Sequence, residues 1–128
     1  SSLLRKALML DAAASGAMGL IFVAGFGVLP AFLGLPQAFI AGIGAVCLMW
    51  SAINGFAATR QRLPSAAVWA IIALNGIWVL ESAVLLLSGW LQPTGIGTAF
   101  VVLQAIVVAI LAEMQFVGLK RSPASQEA

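Results

Sequence analysis

The sequence predicts an all-α fold, an integral membrane up-and-down four-helix bundle with both termini on the cytoplasmic side. Three observations predict it. The chain of 128 residues is 62% hydrophobic and 8% charged, with a mean hydropathy of +1.11, a composition that makes lipid its solvent over most of its surface. All six Lys and Arg residues fall in three short clusters, Arg5 with Lys6, Arg60 with Arg62, and Lys120 with Arg121. Each apolar block between them is about twice the length of one membrane crossing, so each crosses and returns. The turning points, residues 29–37 and 89–97, carry Pro30, Pro36, Pro93 and several glycines but no charge, and so belong on the side that positive charge avoids.

The first helix is expected at about Leu4 to Leu29. Its basic start and apolar run of about 23 residues raise the possibility of a signal peptide, but the run is too long for a typical h-region and the alanines at 12–14 come too early for cleavage. It reads as a membrane helix. The second, Gln37 to Thr59, follows Pro36 and holds the single Cys47, so no intramolecular disulfide is available. The third, Ser65 to Gly89, is joined to the second by the short loop RQRLPS, which predicts that the two are antiparallel neighbours. The fourth runs from Gly95 to Gly118. Residues 1–119 thus form one four-helix domain, and the polar stretch 120–128, KRSPASQEA, reads as a disordered cytoplasmic tail. Period-two alternation is missing from the apolar runs, which argues against a barrel.

The halves share punctuation: Gly25 and Gly89 close the outgoing helices, and Phe56 with Arg60 matches Phe116 with Lys120. A duplicated two-helix hairpin would produce this, and so would composition alone.

Composition also bounds the chemistry. With no His and one Cys, no catalytic dyad or triad and no His-ligated metal or haem is expected, so the sequence offers no catalytic, cofactor-binding or metal residues and reads as non-enzymatic. The net charge of +2 follows from the loop bias and gives no reason to expect nucleic acid.

The remaining signal lies in the polar residues and their depth. Glu81 precedes Trp90 by nine residues, about 13 Å inside the outer interface at the helical rise, and is the deepest ionisable group. A bare carboxylate there is expensive, so Glu81 is expected either to be neutral or to face a wet cavity. Antiparallel register sets it level with Gln104, and the segment NGIWVLES puts Asn75, Trp78, Glu81 and Ser82 along one face. This group reads either as a protonatable site for a proton, cation or polar ligand, or as a hydrogen-bonded clip between helices. Asp11, level with Asn54, and Glu113 lie near basic clusters and are expected at the inner interface, solvated or paired with Arg60 and Arg62 by snorkelling. Trp69 and Trp90 read as interface anchors, whereas Trp50 and Trp78 are deep and need partners for their indole N–H groups. Ser15, Gly16, Gly19, Gly42 and Gly44 favour close helix packing, within the bundle or against a second protomer.

Taken together, LDAAASGAMGL, the GLP at 34–36, LNGIWVLES, and PTGIG followed by QAIVVAILAEMQFVGLKR resemble small four-helix bacterial inner-membrane proteins of a family without assigned function. The resemblance implies the topology and a place in the bacterial inner membrane, and it implies no chemistry. The expected partners are membrane lipid and either further copies of the chain or a larger membrane assembly. The expected function is association, as a homo-oligomer or small accessory subunit. The rival expectation is a proton-coupled transporter or channel for a small cation or amphipathic molecule, with Glu81 as the coupling carboxylate.

Overall fold

Four long apolar stretches become four long helices. In the computed structural model, which describes residues 2–121, these are α1 (Ser2–Ala24), α3 (Gln37–Thr59), α4 (Ser65–Ser88) and α5 (Gly95–Lys120), with a five-residue helix α2 (Leu29–Leu33) between the first two. All four long helices are long and apolar enough to cross a membrane. No strand occurs among the described residues. Of the polar tail expected from 120 onward, Lys120 closes α5, and residues 122–128 lie outside the described residues.

The first helix ends earlier than expected. Gly25 to Val28 form a turn after Ala24, and Leu29 with Pro30 starts α2, where the fixed φ of proline suits a first helical turn. Gly34, at φ 70°, closes α2 in the left-handed conformation that glycine adopts without a Cβ penalty. Its N–H and that of Leu35 both donate to Pro30 O, at 2.8 and 3.1 Å. Thr94, the N-cap of α5, joins the two outer turns: its N–H donates to Leu33 O at 3.0 Å and its Oγ1 to Phe32 O at 2.8 Å, while Oγ1 accepts from Gly97 N. A Cβ on Gly97 would collide with the Leu33 carbonyl, so glycine is required at this crossing.

The close helix pairs are α1 with α3, α1 with α5, and α4 with α5. The short loop predicted that α3 and α4 are antiparallel neighbours; their side chains share the basic-end core, but their backbones are not among the close pairs. Small residues make the close approaches to α1: Gly19 of α1 meets Gly44 and Leu48 of α3, and Gly118 of α5 meets the backbone of Leu4. Gly42, counted with Gly44 as a packing residue, has nothing near it. At the basic end, Leu4, Leu8, Ala57, Ala58, Val68, Ile71 and Leu119 form one apolar core, to which all four long helices contribute. A second core of Phe22, Leu33, Leu35 and Ile40 fills the other end. Arg5 closes the basic end, its guanidinium donating to the C-terminal carbonyls of α3, Ala58 O at 3.0 Å and Arg60 O at 3.1 Å. Arg60 lies over the Phe56 ring at 5.3 Å and Lys120 over Phe116 at 5.5 Å, so the matched punctuation of the two halves corresponds to matched contacts.

Candidate functional site

One helical turn separates the basic-end core from a layer of polar side chains. Asp11 lies a turn beyond Leu8 on α1, Asn54 a turn before Ala58 on α3, Asn75 a turn beyond Ile71 on α4, and Gln115 a turn before Leu119 on α5. Helical spacing therefore aims one polar residue from each long helix at the same central volume. All four are buried, with exposures of 2%, 0%, 3% and 0% in that order.

The carboxylate of Asp11 organises the layer. Its Oδ2 accepts from Asn75 Nδ2 at 2.8 Å and from Gln115 Nε2 at 2.8 Å, while Oδ1 accepts from Ser15 Oγ at 3.2 Å. Asn75 Nδ2 also donates to Gln115 Oε1 at 3.0 Å, closing a ring of side chains from α1, α4 and α5. Two of these bonds to Asp11 cross between helices, where such bonds are worth about 0.6 kcal/mol on average and up to about 1.7. Asn54 differs from the others. Its Nδ2 donates to Trp50 O at 3.0 Å on its own helix, and its Oδ1 is a buried acceptor with no partner. A buried acceptor left unpaired costs about 1–3 kcal/mol. Asn54 is level with Asp11, because Ser51 Oγ donates across to Ala12 O at 2.6 Å and Gly55 faces Ala12.

Nearer the opposite end, a second, smaller group joins α4 to α5. Trp78 Nε1 donates to Gln104 Oε1 at 2.7 Å, Gln104 Nε2 donates to Ser82 Oγ at 2.9 Å, and Ser82 Oγ donates to Trp78 O at 2.9 Å. The indole expected to need a partner at Trp78 has one in Gln104.

The residues grouped by sequence thus divide. Trp78, Ser82 and Gln104 come together; Asn75 belongs instead to the Asp11 layer. Glu81 joins neither and is exposed, with Leu80 beside it at 66% and Val84 at 50% exposure. The expected pairing of Glu81 with Gln104 is corrected by rotation, not by depth. From Asn75, seven residues return a helix to within about 20° of the same face, which buries Ser82; six residues leave Glu81 about 120° away. Asp11 requires the opposite correction: expected at a solvated interface, it is buried and bonded to carboxamides. Glu113 is exposed, beside Met114 and Arg121 in a shallow depression that also includes Leu3 and Val117. Trp69 and Trp90 are exposed at 45% and 83%, with Trp69 edge-on to Phe116 at 5.5 Å.

The missed residues are Asp11 as a buried centre and Gln115; Asn54 was expected at the level of Asp11 and is there. A usable signal was the spacing of Asp11, Ser15 and Gly19, four residues apart on the most glycine-rich face of α1, since a polar residue in line with small ones lies at a packing contact. Among the described residues, no group of three His, Cys, Asp or Glu is placed to hold a metal ion. No protein-family model, curated protein or solved structure matches the chain.

Proposed function

We propose that the protein is a multi-pass protein of the bacterial inner membrane, with both termini cytoplasmic, that works by helix association through the outward face of α4. Its partner is a second copy or a larger membrane assembly in which it is a small subunit. The observation that carries this reading is Glu81, a carboxyl exposed on a spanning helix seven residues before its end at Ser88. A helical Cα–Cβ bond leans toward the helix N-terminus, so the side chain of Glu81 points away from the nearer interface and deeper into the apolar region. An ionised side chain at mid-membrane costs about 2.5–3.5 kcal/mol on insertion scales, and such residues are almost always turned toward protein or water.

The surface around Glu81 suits a partner helix. Ala70 and Ala73 are exposed on the same side of α4, about 20° and 80° round the helix from Glu81 and two to three turns before it. In a symmetric pair of copies Glu81 meets its counterpart at equal depth. In a mixed assembly a basic or amide group meets it.

The test is subunit counting in lipid bilayers at low protein density, comparing the wild type with Glu81→Leu. Association that survives dilution in the wild type and falls in the variant supports the reading. A strictly monomeric wild type, with no complex recovered from its native membrane, overturns it.

A further inference from the structure

The Asp11 layer is a site that the association reading does not use. We infer that it binds one small hard cation, an alkali metal ion or a proton, between the Asp11 carboxylate and Asn54 Oδ1. The inference stands on Asn54, which is 0% exposed, lies level with Asp11 where α3 packs on α1, and has an Oδ1 that accepts no hydrogen bond. Its position opposite a carboxylate makes the orphan informative. Asp11 and Asn54 Oδ1 are both acceptors, so neither can satisfy the other, and whatever lies between them must be a cation or a hydrogen-bond donor; the carboxylate favours the cation.

The donor set points to the chemical class. Asp11 Oδ1 takes one hydrogen bond, from Ser15, and keeps further acceptor capacity; Asn54 Oδ1 keeps both lone pairs; Ser15 Oγ still has lone pairs of its own. Carboxylate, carboxamide and hydroxyl oxygens suit hard cations, and a single carboxylate matches a single positive charge. The groups around Asp11 compete little with such an ion. On α1 there is Ser15, on α3 Asn54 and the buried thiol Cys47, on α4 Asn75, and on α5 Gln115; no lysine or arginine among the described residues bonds to this layer. Asn75 and Gln115 hold Oδ2 from the far side and fix the carboxylate, leaving Oδ1 as the edge that meets the ion. A proton fills the same place as an O–H donor from Asp11 to Asn54 Oδ1.

The test reads thermal unfolding of the full chain in lipid nanodiscs by tryptophan fluorescence. The four tryptophans, Trp50, Trp69, Trp78 and Trp90, report the global unfolding transition. LiCl, NaCl and KCl are titrated against choline chloride at constant ionic strength, and a second series varies pH from about 5 to 8 in choline alone. For an ion bound with Kd of about 10 mM, 100 mM salt multiplies the folding equilibrium constant by about eleven. A saturable response to one alkali ion in the wild type, absent in Asp11→Asn and in Asn54→Leu, supports an alkali ion. A response to pH alone, lost in both variants, supports the proton, and the Asp11→Asn control separates it from titration of Glu81 or Glu113. If Asp11→Asn does not fold, Asn54→Leu carries the comparison, because it keeps the carboxylate. No response to any cation or to pH, or a response unchanged in both variants, overturns the inference and leaves the association reading untouched.

Discussion

The coupling between Asp11 and Asn75 can be measured with a double-mutant cycle of Asp11→Ala, Asn75→Ala and the double variant. The two side chains meet at 2.8 Å across α1 and α4, each almost fully buried. Interhelical hydrogen bonds in membrane proteins couple by about 0.6 kcal/mol on average and about 1.7 at most, and a carboxylate acceptor belongs at the upper end. The expected coupling is therefore about 1–1.7 kcal/mol. Asp11→Ala alone removes a second interhelical bond, from Gln115 Nε2, so its total cost is larger, about 1–3 kcal/mol. The assay is reversible unfolding in bicelles, by steric trapping or by detergent titration. A parallel cycle of Glu81→Ala with Gln104→Ala is expected to show no coupling, because Gln104 bonds Trp78 and Ser82. The reasoning is refuted if the Asp11 and Asn75 effects add within about 0.3–0.5 kcal/mol, the usual error of additivity, while Glu81 and Gln104 couple.

Other outcomes follow from the same contacts. Gly97→Ala drives a methyl group into the Leu33 carbonyl and is expected to cost about 1–3 kcal/mol in unfolding experiments, whereas Gly27→Ala, with open space at its Cβ, leaves stability nearly unchanged. Arg5→Gln removes the guanidinium that holds Ala58 O and Arg60 O, so hydrogen exchange at residues 57–60 is expected to quicken while that of α5 stays as it was. Reporter fusions are expected to place Gln61 and Arg121 in the cytoplasm and Gln92 outside it; an external Gln61 would reverse the orientation.

The relative level of residues on facing helices was legible in the sequence, and their direction around the helix was not. Basic clusters and helical rise set Asp11 level with Asn54 and Glu81 level with Gln104, and the contacts of Ala12 with Ser51 and of Gln104 with Trp78 and Ser82 agree with those levels. Rotation is hidden because lipid and core are both apolar. A soluble helix shows its buried face by contrast with water, but the four long helices here, each apolar enough to cross a membrane, are apolar on nearly every face, so hydrophobic periodicity cannot separate inside from outside. Glu81 and Asp11 were consequently given each other's surroundings. Small residues carry the missing information: Gly16 and Gly19 mark α1 as the helix that packs on both α3 and, through Leu4 against Gly118, α5. The break at Gly25 was hidden for another reason, since Phe26, Val28 and Leu29 continue the apolar run through a turn whose backbone bonds are local.

The central claim, that α4 meets a partner through the face bearing Glu81, is tested most directly by cysteine crosslinking in native membranes. In a Cys47→Ser background, single cysteines replace each residue from 74 to 87, and oxidation is followed by gel mobility. The claim predicts crosslinks, either to a second copy or to one discrete larger species, that recur every three to four residues around the outward positions Ile77, Leu80, Glu81 and Val84, and that fade when Glu81→Leu is added at the other sites. Crosslinks scattered without helical period, or none at any position, would contradict it.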